Sequence, residues 1–68
     1  MDNEKYNVPI WKKITLTIKE ASAYSGIGEN KLYELTDKRN CDYVLFVGSK
    51  RLIKRIEFEK YISKLSVI

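Results

Sequence analysis

Three residues, Gly26-Ile27-Gly28, separate two stretches with helical periodicity, and this break restricts the fold more than any other feature of the sequence. Two short helices joined by so tight a glycine-containing turn make a helix-turn-helix. The first helix has a punctuated start, because Thr17-Ile18-Lys19-Glu20 has the spacing of a capping box, with Thr17 accepting from the Glu20 amide and Glu20 reaching back. It is predicted over residues 18–25, with Ile18, Ala21 and Tyr24 facing inward and Gly26 as a left-handed stop. The second helix is predicted to start from Gly28 as N-cap, with Ile27 packing on Leu32 as a hydrophobic staple. Leu32 and Leu35 define its buried face, and it should fade near Lys38, before Asn40.

The flanks supply a sheet and a third helix. Ile14-Thr15-Leu16-Thr17 alternates apolar and polar residues and reads as a short strand. Tyr43 to Val47 is a run of strand formers, Gly48-Ser49-Lys50 a loop, and Arg51-Leu52-Ile53-Lys54 a second run, together a β-hairpin that can pair with the first strand. Phe58, Tyr61, Ile62 and Leu65 fall at i, i+3, i+4 and i+7, a helix that closes the core, with Glu57 and Glu59 suited to its N-terminal dipole. The predicted class is therefore α+β, a winged helix-turn-helix with three helices, a small antiparallel sheet and a β-hairpin wing. Residues 1–8 are expected to form a flexible N-terminal arm, with Ile10 and Trp11 after Pro9 anchoring it to a winged helix-turn-helix domain at residues 9–68.

A chain of 68 residues supports one domain with a thin core, too small to wall off a deep catalytic pocket, so surface binding is the expected use. Thirteen Lys and Arg stand against nine Asp and Glu, and their placement matters more than their sum. Lys50, Arg51, Lys54 and Arg55 lie between Gly48 and Arg55 with no acid among them, so the other nine cations balance the nine acids. The excess charge belongs to the wing.

Cys41 is the single cysteine and histidine is absent, which excludes a disulfide framework, zinc held by Cys and His, and histidine acid–base catalysis. We expect no enzyme activity, no cofactor and no metal, and assign Cys41 no role. No apolar run approaches the length of a membrane span, and the first residues do not read as a secretory signal, so no membrane partner and a cytoplasmic location are expected.

With Leu32 and Leu35 turned inward, Asn30, Glu34 and Asp37 point outward on the second helix, flanked by Lys31, Tyr33 and Lys38. Lysines there can reach phosphates, Tyr33 can donate to phosphate or pack on sugar, and Asn30 can bond an adenine bidentately in a major groove. Glu34 can accept from cytosine or pair with a lysine such as Lys38. In the wing, Ser49 makes a small turn beside Lys50 and Arg51, which can neutralise phosphates or enter a minor groove. Lys54 and Arg55 extend this patch toward the last helix, and Lys12 and Lys13 could add a backbone contact.

The segments Leu16-Thr17-Ile18-Lys19-Glu20-Ala21-Ser22 and Ile27-Gly28-Glu29-Asn30-Lys31-Leu32, with Ile53-Lys54-Arg55 followed by Phe58-Glu59-Lys60, carry a family likeness. The chain resembles the small excisionases of conjugative transposons from about Ile10 to Ile68, including Pro9-Ile10-Trp11. The resemblance implies a recombination directionality factor that binds and bends double-stranded DNA at the arms of an integrated element, alongside further copies of itself, and directs a tyrosine-type integrase toward excision. By position it implies a recognition helix at residues 29–38, containing Glu29, Asn30, Lys31, Tyr33, Glu34 and Lys38, and a wing at residues 47–54. The family often has basic residues mid-helix where this chain has Tyr33-Glu34. Two other roles fit the residues: a winged-helix transcriptional regulator of a mobile element or phage, dimerising through Ile62, Leu65, Val67 and Ile68, or a protein-interaction adaptor using the hairpin edge or Tyr33 without DNA.

Overall fold

The computed structural model describes residues 8–68, so the arm expected at residues 1–8 lies outside the described residues except for Val8. A single 3₁₀ turn (Ile10–Lys12) leads into β1 (Thr15–Thr17), α1 (Ile18–Ser25), α2 (Glu29–Thr36), β2 (Val44–Val47), β3 (Lys50–Lys54) and α3 (Arg55–Ser63). The three strands form one antiparallel sheet in the order β1-β3-β2, a winged helix-turn-helix of the α+β class.

Register follows from strand alternation. Leu16 pairs with Ile53, which pairs with Val44, and this row faces the helices, with Leu16 and Ile53 fully buried. A slip of one residue would instead bury Thr17, Leu52 and Leu45 and expose the row that forms the core. Onto this row pack Ile18 and Ala21 from α1, Leu32 and Leu35 from α2, and Phe58 from α3, completed by Tyr43 at the foot of β2. The Tyr43 ring lies 5.3 Å from that of Phe58 and 4.9 Å from that of Tyr61, centroid to centroid. These aromatic contacts tie the hairpin to α3. Burial, then the neighbouring Cys41 thiol and Tyr61 phenol, push the Tyr43 phenol above its ordinary value.

The helix-turn-helix forms through the punctuation its residues supply. Thr17 Oγ1 accepts from the Glu20 amide and Glu20 Oε1 accepts from the Thr17 amide, both at 3.0 Å, while Glu20 Oε2 accepts from Lys13. Burial raises the Glu20 carboxyl, but the Lys13 ammonium and the Thr17 donors outweigh it and hold the group below its ordinary value. Gly26 closes α1 at φ 81°, and Gly28 is the N-cap of α2. The left-handed geometry at Gly26 is the one a helix C-cap favours. Ile27 and Leu32 both pack into the core, as a staple requires.

Several expectations are corrected. Tyr24 is 38% exposed. Six residues on from Ile18, at about 3.6 per turn, lies about 120° around the helix, at the rim of the buried face. The Tyr24 hydroxyl donates to Glu59 on α3. Trp11 is 63% exposed while Ile10 packs on the core. Successive side chains of a 3₁₀ turn diverge by about 120°, so only one can anchor. Leu65 is exposed because α3 ends at Ser63, before the periodicity returns. The first strand begins at Thr15 and the hairpin strand at Val44, each one residue later than expected. The second helix ends at Thr36, whose Oγ1 donates back to the Leu32 carbonyl at 2.8 Å. This back-bond closes the last turn. The hairpin loop is Gly48-Ser49 alone, since Lys50 pairs with Val47. Gly48 has φ 59° and Ser49 no positive φ. That is the pattern of a type II′ turn.

Candidate nucleic-acid interface

The eight residues of α2 set the reach of its exposed face. At the helical rise they span about 12 Å, roughly the width of a major groove. Leu32, Leu35 and Thr36 are buried, which leaves Glu29, Asn30, Tyr33 and Glu34 exposed and Lys31 half-exposed. Glu34 pairs with Lys31 at 3.7 Å and not with Lys38, which lies beyond the helix end. A long, exposed i,i+3 contact of this kind contributes little, so the Lys31 ammonium can leave it for a phosphate at small cost. Lys38 lines a cleft of about 390 Å³ between the loop after α2 and α3, together with Cys41, Lys60 and Lys64. Among the described residues no cluster of His, Cys, Asp or Glu could hold a metal ion.

The wing cations divide into three environments. Lys50, at the hairpin tip beside Ser49, is exposed and has no ion-pair partner among the described residues. Lys54 is equally unpaired but stands at the far end of β3, on the same outward sheet face. Four residues of strand separate the two by about 13 Å. Arg55 faces the protein: its Nε donates to the Lys13 carbonyl at 2.7 Å and its Nη1 to Glu59 at 3.2 Å. Lys13 is itself held by Glu20, so of the Lys12-Lys13 pair only Lys12 is exposed.

Arg51 shares a sheet face with Ile53 and reaches under the end of α2. Its Nη2 lies 2.9 Å from Asp37 Oδ1, and its Nη1 donates to Thr36 Oγ1 at 3.0 Å and to the Tyr33 carbonyl at 3.3 Å. The guanidinium also lies over the Tyr33 ring at 5.1 Å and the Phe46 ring at 5.4 Å. Both distances allow a cation–π attraction. The structure thus brings Tyr33, Asp37 and Arg51 together, and joins the wing to the exposed face of α2. Sequence reasoning groups Arg51 with the free wing cations and misses this link, although strand alternation, which puts Arg51 two residues from the buried Ile53, is a usable signal.

A sequence model of the family described as excisionase from transposon Tn916 matches residues 1–68. The chain belongs to the Tn916 excisionase family. A curated relative, the excisionase from transposon Tn916 of Streptococcus agalactiae serotype V (strain ATCC BAA-611 / 2603 V/R), is 46% identical over 63 residues, covering 91% of this chain and 94% of the relative. The matched residues include the exposed α2 face, the wing and the residues that join them. No helix of the described residues is long and apolar enough to cross a membrane.

Proposed function

We propose that this member of the excisionase family binds double-stranded DNA at the arms of its mobile element, bends it, and so directs a tyrosine-type integrase toward excision without catalysing a step itself. In this reading α2 enters the major groove. Asn30 meets a base edge, Lys31 and Tyr33 meet the flanking backbone, and Glu29 and Glu34 discriminate among bases by what they refuse as much as by what they accept. The hairpin tip, with Ser49 and Lys50, lies against the neighbouring phosphates or minor groove. Lys54 and Lys38 are outlying cations for phosphates further along a bent duplex, while Arg55 braces the base of the wing.

The observation that supports this most is the joining of the exposed α2 face to the wing through Arg51, which gives both elements one shared surface. A bend of a 20–30 bp site costs on the order of 1–6 kcal/mol, which several copies along the DNA, each neutralising phosphates, can offset. The test is a binding series on element-end duplexes against random duplex, with bending followed by end-to-end fluorescence transfer. Preferential binding with a bend supports the proposal; equal affinity for both duplexes and no bend would end it.

A further inference from the structure

We propose that Arg51 is a positioning residue that locks the wing to α2, with Asp37 as its anchor, and not a cation offered to phosphate. Its three polar partners all lie on the last turn and cap of α2. The Tyr33 carbonyl already accepts from the Asp37 amide at 3.0 Å and takes Arg51 as a further donor, and a cation at this end is favoured by the helix dipole. The planar fork of the guanidinium can serve the Tyr33 carbonyl, the Thr36 hydroxyl and the Asp37 carboxylate at once while its faces lie over Tyr33 and Phe46. A lysine has neither the fork nor the flat face. The side chain is only 24% exposed, and a phosphate would have to compete for it with the Asp37 carboxylate 2.9 Å away. Phe46 pairs with Arg51 across the hairpin, so the same contact that fixes the guanidinium fixes both strands of the wing.

The consequence for recognition is geometric. A two-stranded hairpin is pliant by itself, and the angle between its tip and α2 decides whether groove and backbone contacts form together. Arg51 sets that angle before DNA arrives, so the ordering is not charged against binding.

Two measurements test this. In the free protein, backbone order by NMR relaxation is compared for wild type, Asp37→Asn, Arg51→Ala and Arg51→Lys. Asp37 is 66% exposed, so its substitution leaves the core intact. Residues 46–50 should lose order in all three variants, with Arg51→Lys failing to restore it; unchanged order in Asp37→Asn and Arg51→Ala overturns the proposal. The second measurement is duplex affinity, and it rests on the DNA-binding reading above. Asp37→Asn removes a negative charge from the interface, so a phosphate-binding Arg51, freed from competition, would bind more tightly. A positioning Arg51 predicts the opposite sign, about two- to fivefold weaker binding, the range an exposed ion pair supports. Tighter binding by Asp37→Asn overturns the proposal. Failure of the wild type to prefer element-end duplex would remove the DNA reading, and the relaxation data would still decide the role of Arg51.

Discussion

Replacing Lys31 and Lys50 together by alanine should change how binding responds to salt, by an amount the structure sets. Lys50 has no ion-pair partner among the described residues, and Lys31 has only the long contact to Glu34, so each can neutralise one phosphate. Each phosphate contact contributes about 0.9 to the slope of log affinity against log salt, so the pair contributes about 1.8. Between about 50 and 200 mM salt, a fourfold change, the wild type should therefore lose about 12-fold more affinity than the double variant. The two proteins should differ most at low salt and converge as salt rises. Fluorescence anisotropy on a labelled element-end duplex at four or five salt concentrations reads this directly. Lys60→Ala, on α3, is the control and should leave the slope unchanged. A double variant weaker by the same factor at every salt concentration would refute the assignment of these two lysines to phosphates.

Three further outcomes follow from the fold. Glu20 is held below its ordinary value of 4.5, so it contributes stability that is present above that pH and lost as pH falls through its lower folded value. The melting-temperature gap between wild type and Glu20→Gln should shrink between about pH 6 and pH 3, and a constant gap would contradict the Lys13–Glu20 pair. Leu32 is fully buried. Leu32→Ala should therefore cost about 2–5 kcal/mol in urea unfolding, a large share of the total for so small a domain, whereas a cost under about 1 kcal/mol would mean that α2 is not seated on the core. Gly26 has φ +81° with open space around its Cα. Gly26→Ala should cost about 1–2 kcal/mol from backbone strain alone and Gly26→Asn less; equal costs would argue against the left-handed cap.

Most of the fold was legible because its signals are local. Thr17 and Glu20 sit three residues apart, Gly26 and Gly28 bracket a single turn, and the alternation of Leu16 and Ile53 fixes which strand face is buried. The misplacements came where a local period met a boundary it could not see. Leu65 has the right spacing but lies past the end of α3, and Tyr24 has a helical spacing that lands on the rim. Trp11 has the size of an anchor, and a 3₁₀ turn points it outward. The candidate site was legible as a set of residues and only partly as an arrangement. Counting charges along residues 48–55 suggests four equivalent cations, yet Arg51 and Arg55 direct their donors within the protein to Asp37 and Glu59. The pairing of Asp37 with Arg51 depends on hairpin register and on how the end of α2 lies over the wing, neither of which a local period reports.

The most direct test of the account is where DNA lands. Adding an element-end duplex to isotopically labelled protein and following backbone amide shifts should move Asn30, Lys31, Tyr33 and Glu34 on α2 together with Ser49 and Lys50 at the hairpin tip, while the exposed side of α3 around Lys60 stays in place. Shifts concentrated on α3 and the cleft beneath it, with α2 and the wing unmoved, would contradict the account.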